Sequence, residues 1–554
     1  MSTRTTTKAV SQNACSLKKI YFSNSIAALL ASVGVSAHAM PIQTGISDLD
    51  VRWDNTVRYN AGWRMEKENK KFSANSGTDD TEHKFGRGDL VTNRLDLISE
   101  LDVTYQGAHG FRVSGAGWFD QAYQGSAEPS SDTTGNYRNN HYNGYADRYI
   151  AGPSGEFLDA FVFTNFALGS VNANVKAGQH NVYWGESLYS IGNSIAYSQG
   201  PVDTIKSATS PGSEAKELFL PLKQVSSTVL LSDELSFGVQ YLLDWKPFRL
   251  VPGGTFFASG DGSRSDFGAV GVANGDDIEP DSKHGNFGLN LRWSPWWLGG
   301  TAGLYYRKFD EKIPWSFVQI NGAPNVRLNF ARDTELYGVS LSKNLATVSV
   351  ATELSYRKNS ALNSTPGFFV PTAPGQDASY DAAEGARGDT WHALVNAIYL
   401  LPKTALWDGG TLQGEISYNN LARFAENENR FNSQGKGCDT TVWSGQCADN
   451  HSLGMTIGFT PEWPQLFPGW DVSLPTSVTY GLDGNSPTLG GSNEGAYNYA
   501  VGVTGKLRNV HNFTLRWADS HYDYKRVNNN YVSNGSDGVQ NDHGWLSFTY
   551  KASF

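Results

Sequence analysis

The sequence predicts an all-β protein, a transmembrane antiparallel β-barrel of about 16–18 strands. Three observations predict this class: a basic and then apolar N-terminal segment, a C-terminal strand that ends on Phe554, and alternation of apolar and polar residues along most of the chain between them. We expect short periplasmic turns, long extracellular loops, and a third loop, 182–223, that folds into the barrel.

The N-terminal segment has the features of a secretory signal peptide. Four basic residues precede an uncharged apolar run, 26–35, and Ala37 and Ala39 follow as a small-x-small cleavage site. The run is too short to span a bilayer as a mature helix. We therefore predict that residues 1–39 form a signal peptide cleaved between Ala39 and Met40. Residues 40–554 would then be exported by the general secretory route to the outer membrane of a Gram-negative bacterium.

The C-terminal residues have the pattern expected of the last strand of a barrel. Positions 546–554 alternate between an apolar and a polar face, which is the pattern of a strand with two different surroundings. A last strand that ends on phenylalanine resembles the closing signal of bacterial outer-membrane proteins. Together with a signal peptide at the other end of the chain, this strand indicates an outer-membrane barrel.

Composition excludes several other classes of protein. Only 39% of the 554 residues are hydrophobic and the mean hydropathy is −0.41. No run after the signal peptide is long and apolar enough to form a transmembrane helix, which excludes a helical inner-membrane protein. Aromatic residues make up 13% of the chain, which suits the aromatic girdles of a barrel. The net charge is −10 without a basic stripe, so the expected partners are outer-membrane lipids and not nucleic acid.

Period-two alternation recurs along the mature chain. Segment 235–245 is one example, with apolar residues at Leu235, Phe237, Val239, Tyr241 and Leu243. Periodicity alone does not say whether this face points to lipid or to a soluble core. The length of the chain without a linker favours a barrel over a sandwich, and short and long connections alternate between the predicted strands. Most of the long loops are polar, and we interpret them as solvated loops.

The third long loop, 182–223, differs from the other loops because it mixes apolar residues, carboxylates and lysines. Its apolar content needs a place to be buried, and the lumen of a large barrel offers one. The candidate constriction or substrate-path residues are Tyr183, Trp184, Glu186, Tyr189, Asp203, Lys206, Glu214, Lys216 and Glu217. Their charges either select solutes in a pore or form salt bridges that hold the loop against the wall. The sequence leaves both interpretations open.

Charged residues also recur on the polar faces of the predicted strands. The candidate lumen-wall residues are Arg52, Arg58, Arg94, Glu100, Arg112, Arg292, Glu353, Arg357, Glu415 and Arg516. Such residues either pair across neighbouring strands or line a path for solutes, and both roles remain open.

Cysteine usage fits an oxidising compartment. Cys15 lies in the predicted signal peptide, whereas Cys438 and Cys447 lie nine residues apart in a polar loop. We predict that these two form a disulfide in the periplasm or beyond it. A metal-binding pair is the alternative, but no histidine cluster accompanies them.

The sequence carries no motif of a known catalytic site. It lacks a Gly-x-Ser-x-Gly elbow, a His-Glu-x-x-His pair and a phosphate-binding loop. We therefore predict no enzyme activity, no cofactor and no metal. A Ser–His pair assembled across strands, from wall residues such as His392 and Ser417, stays open as an alternative.

The chain resembles the domain-of-unknown-function family numbered 1302. The motifs that carry the resemblance are NAGWR (60–64), GDLVTNR (88–94), GAGWFD (115–120), FLDAF (157–161), WGES (184–187), PVD (201–203) and PGSEAKE (211–217). Family members are outer-membrane proteins. Their genes often neighbour those of a periplasmic protein of the family numbered 1329 and an inner-membrane resistance-nodulation-division transporter, near pathways that degrade hydrophobic compounds. The resemblance implies these partners and defines no catalytic residues.

Three functional hypotheses follow. The first is a monomeric channel for passive passage of a hydrophobic or amphipathic compound, such as a steroid or fatty acid. Loop 182–223 would gate it, and Tyr183, Trp184 and Tyr189 would offer apolar contacts. The second is a substrate-specific porin for small hydrophilic organic anions, which the inward-facing arginines favour. The third is a non-conducting barrel that scaffolds a periplasmic partner or carries a hydrolytic site.

Overall fold

A computed structural model describes residues 40–73, 81, 83–127, 135–169, 171–269, 271–438, 443–527, 530–535 and 538–554. The predicted signal peptide, 1–39, lies outside the described residues, and its cleavage site stays a prediction. None of the helices in the described residues has the length and apolar character needed to cross a membrane.

Within the described residues, eighteen antiparallel strands form a closed barrel. The barrel strands are β2 (Leu49–Arg64), β3 (Leu90–Tyr105), β4 (His109–Asp120), β5 (Ser154–Leu168), β6 (Val171–His180), β7 (Leu222–Leu230), β8 (Leu235–Leu242), β11 (Phe287–Trp293), β12 (Gly300–Phe309), β15 (Thr334–Leu345), β16 (Val348–Ala361), β18 (Arg387–Leu400), β19 (Gly409–Glu426), β20 (His451–Phe467), β21 with β22 (Trp470–Ser473 and Thr476–Asp483, one interrupted strand), β23 (Tyr497–Leu507), β24 (His511–His521) and β27 (Trp545–Ser553).

Apart from Met40–Pro41, which pairs with the first wall strand, the shorter elements lie outside the barrel wall. The remaining strands are β1 (Met40–Pro41), β9 (Phe267–Ala269), β10 (Val272–Asn274), β13 (Trp315–Ile320), β14 (Pro324–Asn329), β17 (Phe368–Pro371), β25 (Tyr524–Val527) and β26 (Asn530–Ser533). The helical turns include α1 (Lys70–Ser73), α2 (Gly144–Ala146), α3 (Thr204–Thr209) and α4 (Ala215–Leu218).

Each barrel strand pairs with its neighbours in sequence, and the ring closes where the first wall strand meets the last. Strand β2 pairs with β27 from Thr56 opposite Ser553 to Arg64 opposite Trp545. Connections at one end of the barrel, the turn end, are mostly short, as at 106–108 and 346–347. Those at the other end, the loop end, are long, as at 243–286. The predicted fold class is therefore confirmed, at the upper end of the predicted strand count.

The apolar face of the strands points outward. Leu304, Ile416 and Leu515 are each about half exposed, at 55, 52 and 48%. In contrast, Arg58 and Glu353, on the opposite face, are buried inside the barrel. Large apolar side chains exposed on the outside of a closed barrel form the surface that faces lipid in membrane barrels. This arrangement decides between the two orientations that periodicity left open.

The loop end is more ordered than the sequence suggested. Strands β9, β10, β13, β14 and β17 form a five-stranded sheet that joins three long loops, with parallel pairs β10–β14 and β13–β17. Our interpretation of these segments as solvated polar loops was wrong, because Trp315 and Phe317 alternate with polar residues and bury their rings. The predicted disulfide between Cys438 and Cys447 is present in the next long loop, with the two Cα atoms 5.7 Å apart.

Candidate functional site

Loop 182–223 lies inside the barrel and contacts two opposite parts of the wall. Its first arm, 184–199, hydrogen-bonds to strands β12 to β19, and its second arm, 203–217, hydrogen-bonds to β2, β3 and β27. The infolding predicted from the apolar content of the loop is therefore what the structure has. The contacts of each arm show how the loop is held.

Glu353, on the lumen face of β16, binds the backbone of the first arm. Its carboxylate accepts hydrogen bonds from the amide groups of Ser187 (2.9 Å), Ile195 (2.6 Å) and Glu186. Gly185 allows this approach, because it adopts a φ of +101° and a β-carbon there would lie 2.5 Å from Glu353 Oε1. The buried charge of Glu353 is thus met by amide donors instead of a cation.

Glu415, on the lumen face of β19, binds the same arm in the same way. Its carboxylate accepts hydrogen bonds from the amides of Leu188 (2.7 Å), Tyr189 (3.1 Å) and Ser190 (2.5 Å). The side-chain amide of Asn396 donates a further bond at 3.3 Å. These two wall carboxylates, predicted only as wall residues, are therefore receptors for the loop backbone.

Two wall arginines complement the carboxylates by donating to loop carbonyls. Arg357 donates to the carbonyl of Ser194 (3.0 Å), and Arg307 donates to those of Ile195 (2.8 Å) and Tyr197 (2.7 Å). The wall thus matches both donors and acceptors of the loop backbone. Such matching holds the loop at one depth in the lumen, since displacement would leave buried donors and acceptors without partners.

The second arm is held by a buried ion pair. Glu217 of α4 accepts two hydrogen bonds from the guanidinium of Arg58, at 2.9 and 2.7 Å, and both side chains are 1% exposed. Ser210 links this pair to the wall by accepting from Arg58 Nε (3.1 Å) and donating to Asp96 (2.7 Å). Glu217 is therefore a structural anchor of the loop and not an exposed constriction charge.

A second ion-pair network joins this arm to the loop end of the barrel. Asp203 accepts a hydrogen bond from the amide of Lys206 at the start of α3 and pairs with Arg249 at 2.6 Å. Arg249 also binds Glu156 through two hydrogen bonds of 3.0 and 2.7 Å. Burial lowers the pKa of Arg249, but the hydrogen bonds to Glu156 and the charge of Asp203 outweigh it and raise that pKa. Asp203 and Lys206 are both buried and anchor the loop.

Two predicted constriction residues of the second arm stay exposed to the lumen. Glu214 and Lys216 are 51% and 50% exposed. Lys216 contacts Glu100 on β3, and Glu214 contacts Lys551 on β27. Together they form a row of alternating charge across the seam of the barrel, open to solvent on one side.

Arg516 presents a further cation to the lumen. It lies on β24 between Gly502 and Ser547 of the two neighbouring strands and is partly exposed. Within the described part of the chain, its guanidinium has no ion pair or hydrogen bond. Small neighbours and the absence of a bound carboxylate leave this charge available to a solute.

Apolar side chains of the loop are also exposed in the lumen. Tyr183, Leu188 and Tyr189 are among the exposed large apolar residues, and the ring of Tyr183 packs 4.5 Å from that of Phe219. The other aromatic residue predicted here, Trp184, is half-buried near the ring of Tyr305, 6.4 Å away. Exposed rings and exposed charges therefore occur on one loop.

The remaining predicted wall residues mostly pair with neighbours. Arg94 binds Asp96 (3.0 Å), and Arg112 binds Asp102 through two hydrogen bonds. At the turn end, Arg52 binds Asp54 (2.8 Å) and stays half exposed. The pair of Arg292 with Glu186 (3.4 Å) joins the wall to the first arm. These contacts support the structural role that the sequence left open for wall charges.

Sequence reasoning missed several residues that hold the loop, among them Arg249, Arg307 and Lys551. Arg307 and Lys551 lie on the lumen faces of strands whose alternation was visible, so that pattern could have found them. Arg249 lies in a long loop without periodicity, and nothing in the sequence points to it.

The Ser–His alternative finds no support in the described contacts. The ring of His392 contacts Asn193 (3.0 Å) and Thr390 (2.9 Å), whereas the hydroxyl of Ser417 accepts from Ser190 (3.0 Å). No group of three or more His, Cys, Asp or Glu in the described ranges is arranged to hold a metal ion.

A closed barrel with an apolar exterior and a charged lumen that holds an anchored loop defines a β-barrel protein of the outer-membrane type. The chain belongs to the family described as "Protein of unknown function (DUF1302)", whose model matches residues 22–554. The resemblance seen in the sequence motifs is thereby confirmed. No curated protein sequence matches this chain at a significant level.

Solved structures of barrels resemble this one over most of its length. OccK1 (OpdK) of Pseudomonas aeruginosa has 9% identity and a TM-score of 0.39, with 91% of this chain and 98% of that chain covered. OccAB1 of Acinetobacter baumannii has 10% identity and a TM-score of 0.42, with 94% and 98% covered. A BenF-like porin from Pseudomonas fluorescens has 11% identity and a TM-score of 0.40, with 91% and 98% covered.

Proposed function

We propose that this protein is an outer-membrane channel for the passive passage of an amphipathic organic compound. The observation that carries the proposal is the lumen lining of loop 182–223. It exposes the apolar side chains of Tyr183, Leu188 and Tyr189 together with the charges of Glu214 and Lys216. A path with both kinds of surface suits a solute that has an apolar body and a polar end.

In this proposal the loop is a fixed constriction instead of a gate. Six backbone amides of the first arm bind wall carboxylates, and the second arm is held by the buried pair Arg58–Glu217. Freeing the loop would leave buried charges without partners, which is costly. Selection would then come from the shape and charge of the remaining opening.

The test is single-channel conductance of the refolded protein in planar bilayers, with and without steroid and fatty-acid solutes. We expect a small conductance that amphipathic solutes reduce, because they would occupy the narrowed path. A steady ohmic pore that small anions block and amphipathic solutes leave unchanged would refute the proposal. Uptake of a labelled amphipathic solute into proteoliposomes separates passage from simple block.

A second candidate function, a porin for small organic anions, is favoured by Arg516. Its guanidinium faces the lumen without a partner among the described residues. For an anion porin, Arg516→Gln would lower the permeability ratio of chloride to potassium, since one uncompensated positive charge leaves the path. In addition, an anion porin would lose block by small organic anions, whereas an amphipathic channel would keep its block by amphipathic solutes.

A further inference from the structure

The lumen contains a second feature that loop 182–223 does not form, a cavity of about 430 Å³ at the turn end. It lies against β2 to β6, and its walls include Arg112 on β4, Phe161 and Phe163 on β5, and Lys176 on β6. Its volume falls within the range of roughly 300–1,000 Å³ that is typical of small-molecule sites.

Two aromatic rings line this cavity side by side. Phe161 and Phe163 occupy successive inward positions of β5, and their ring centroids lie 6.4 Å apart. Phe163 lies against the backbone of Gly110, where a β-carbon would come within 2.8 Å of the ring. Glycine on β4 therefore lets the ring lie flat along the wall and leaves the space in front of it open.

Three cations line the cavity, and two of them, Arg52 and Arg112, are paired with carboxylates. Arg112 binds Asp102 through two hydrogen bonds, so its charge is compensated. Lys176 Nζ lies 5.4 Å from the centroid of the Phe161 ring and, among the residues the structure describes, has no ion pair or hydrogen bond. The ammonium group of Lys176 thus faces the cavity beside two partly exposed rings.

We propose that this cavity binds an aromatic or apolar carboxylic acid, with the carboxylate at Lys176 and the apolar body against Phe161 and Phe163. The contacts match such a molecule in both of its parts, since an ammonium group binds a carboxylate and aromatic rings pack against rings or chains. The assignment deepens the proposed function and rests on it, because it names a solute class for the same path. The site lies at the end of that path predicted to face the periplasm.

The experiment measures binding separately from conduction. Calorimetric titration of the detergent-solubilised protein uses 3-phenylpropanoate as the probe, with 3-phenylpropan-1-ol and propanoate as compounds that lack the charge or the ring. We expect the acid to bind at least about tenfold more tightly than either, because the alcohol lacks the carboxylate for Lys176 and propanoate lacks the ring that packs against Phe161 and Phe163. Equal affinity for the acid and the alcohol would overturn the proposal.

Variants locate the site. Lys176→Met is expected to weaken binding of 3-phenylpropanoate by about tenfold, Lys176→Arg to retain it, and Phe161→Leu to weaken the acid and the alcohol alike. Lys506→Met is the matched control, because Lys506 also faces the lumen near the turn end but lies on β23, outside the cavity. Folding of each variant is checked by the heat-dependent shift of the barrel in gel electrophoresis. An unchanged affinity in folded Lys176→Met would refute the site.

The two proposals fail in different ways. A protein that binds the acid through Lys176 but neither conducts nor passes solutes would refute the channel and leave the site standing. A conducting barrel in which Lys176→Met and Lys506→Met bind the probe equally would refute the site and leave the channel standing.

Discussion

The six amide contacts of Glu353 and Glu415 lead to a prediction about the double variant Glu353→Gln/Glu415→Gln. Each carboxylate accepts three backbone amides of the first arm. Hydrogen bonds to a charged acceptor contribute roughly 1.5–3 kcal/mol and neutral ones about 1 kcal/mol. Glutamine keeps the shape but removes the charge and one acceptor oxygen per site. Each of the six bonds should lose roughly 0.5–2 kcal/mol, so the binding of the arm to the wall should weaken by about 3–12 kcal/mol.

A change of this size alters the position of the loop, since each 1.4 kcal/mol is about a tenfold shift in population. We expect a larger and noisier single-channel conductance in the double variant, and faster cleavage of loop 182–223 by protease added to the solubilised barrel. Each single variant should show a smaller effect, because the other carboxylate still holds the arm and neighbouring contacts are not additive.

The control is Glu335→Gln. Glu335 lies on the outer face of β15, where it pairs with Lys358 at 3.4 Å and does not contact the loop. The Glu335→Gln variant removes one carboxylate from the barrel without changing the lumen, so its conductance should equal that of the wild type. If the double variant folds and shows wild-type conductance and protease resistance, the wall carboxylates do not set the opening and the reasoning is wrong.

Three further predictions test other parts of the structure. Gly192→Ala should displace the first arm from the loop 484–496 and raise the conductance, because the alanine β-carbon would lie 2.2 Å from the carbonyl oxygen of Gly490. A conductance equal to that of the wild type would contradict this prediction. Replacing Cys438 and Cys447 by serine should expose the loop 427–450 to protease while the barrel stays folded, since a cross-link of this spacing contributes about 2–3 kcal/mol locally. Burial and the charge of Arg307 lower the pKa of Lys312 from 10.5 to about 7, so the unfolded chain binds more protons between these values. The free energy of unfolding should therefore rise from pH 7 to about pH 10, by on the order of 4 kcal/mol, and Lys312→Met should abolish this rise in thermal unfolding curves.

The barrel itself was accessible from the sequence because its determinants are local. Alternation along 235–245 predicted a strand, and β8 spans Leu235–Leu242, with Phe237, Val239 and Tyr241 on the outer face. Each strand carries its own period-two signal, so its faces can be assigned without knowledge of its partners. The inward positions of most charged wall residues followed from the same pattern.

The partners of the wall charges could not be predicted from the alternation along each strand. Glu214 and Lys551 are separated by 337 positions in the chain, and Glu415 binds amides that carry no side-chain signal. In the sequence, a charge that lines the constriction also looks the same as a charge that anchors the loop. Glu214 and Glu217 lie three residues apart in α4 and its cap, yet the first is half exposed and the second is buried. Only the position of the helix against β2 separates their roles.

The row Glu100–Lys216–Glu214–Lys551 has a consequence for how the molecule is assembled. Lys551 belongs to the last strand and Arg58 to the first, and these two strands close the ring. Glu214 and Glu217 of one short helix and its cap bind both strands, so the loop bridges the junction of the first and last wall strands. A barrel built in chain order acquires the Glu214–Lys551 contact at its final step. The last strand thus supplies both the final pairing of the wall and one of the charges that hold the loop.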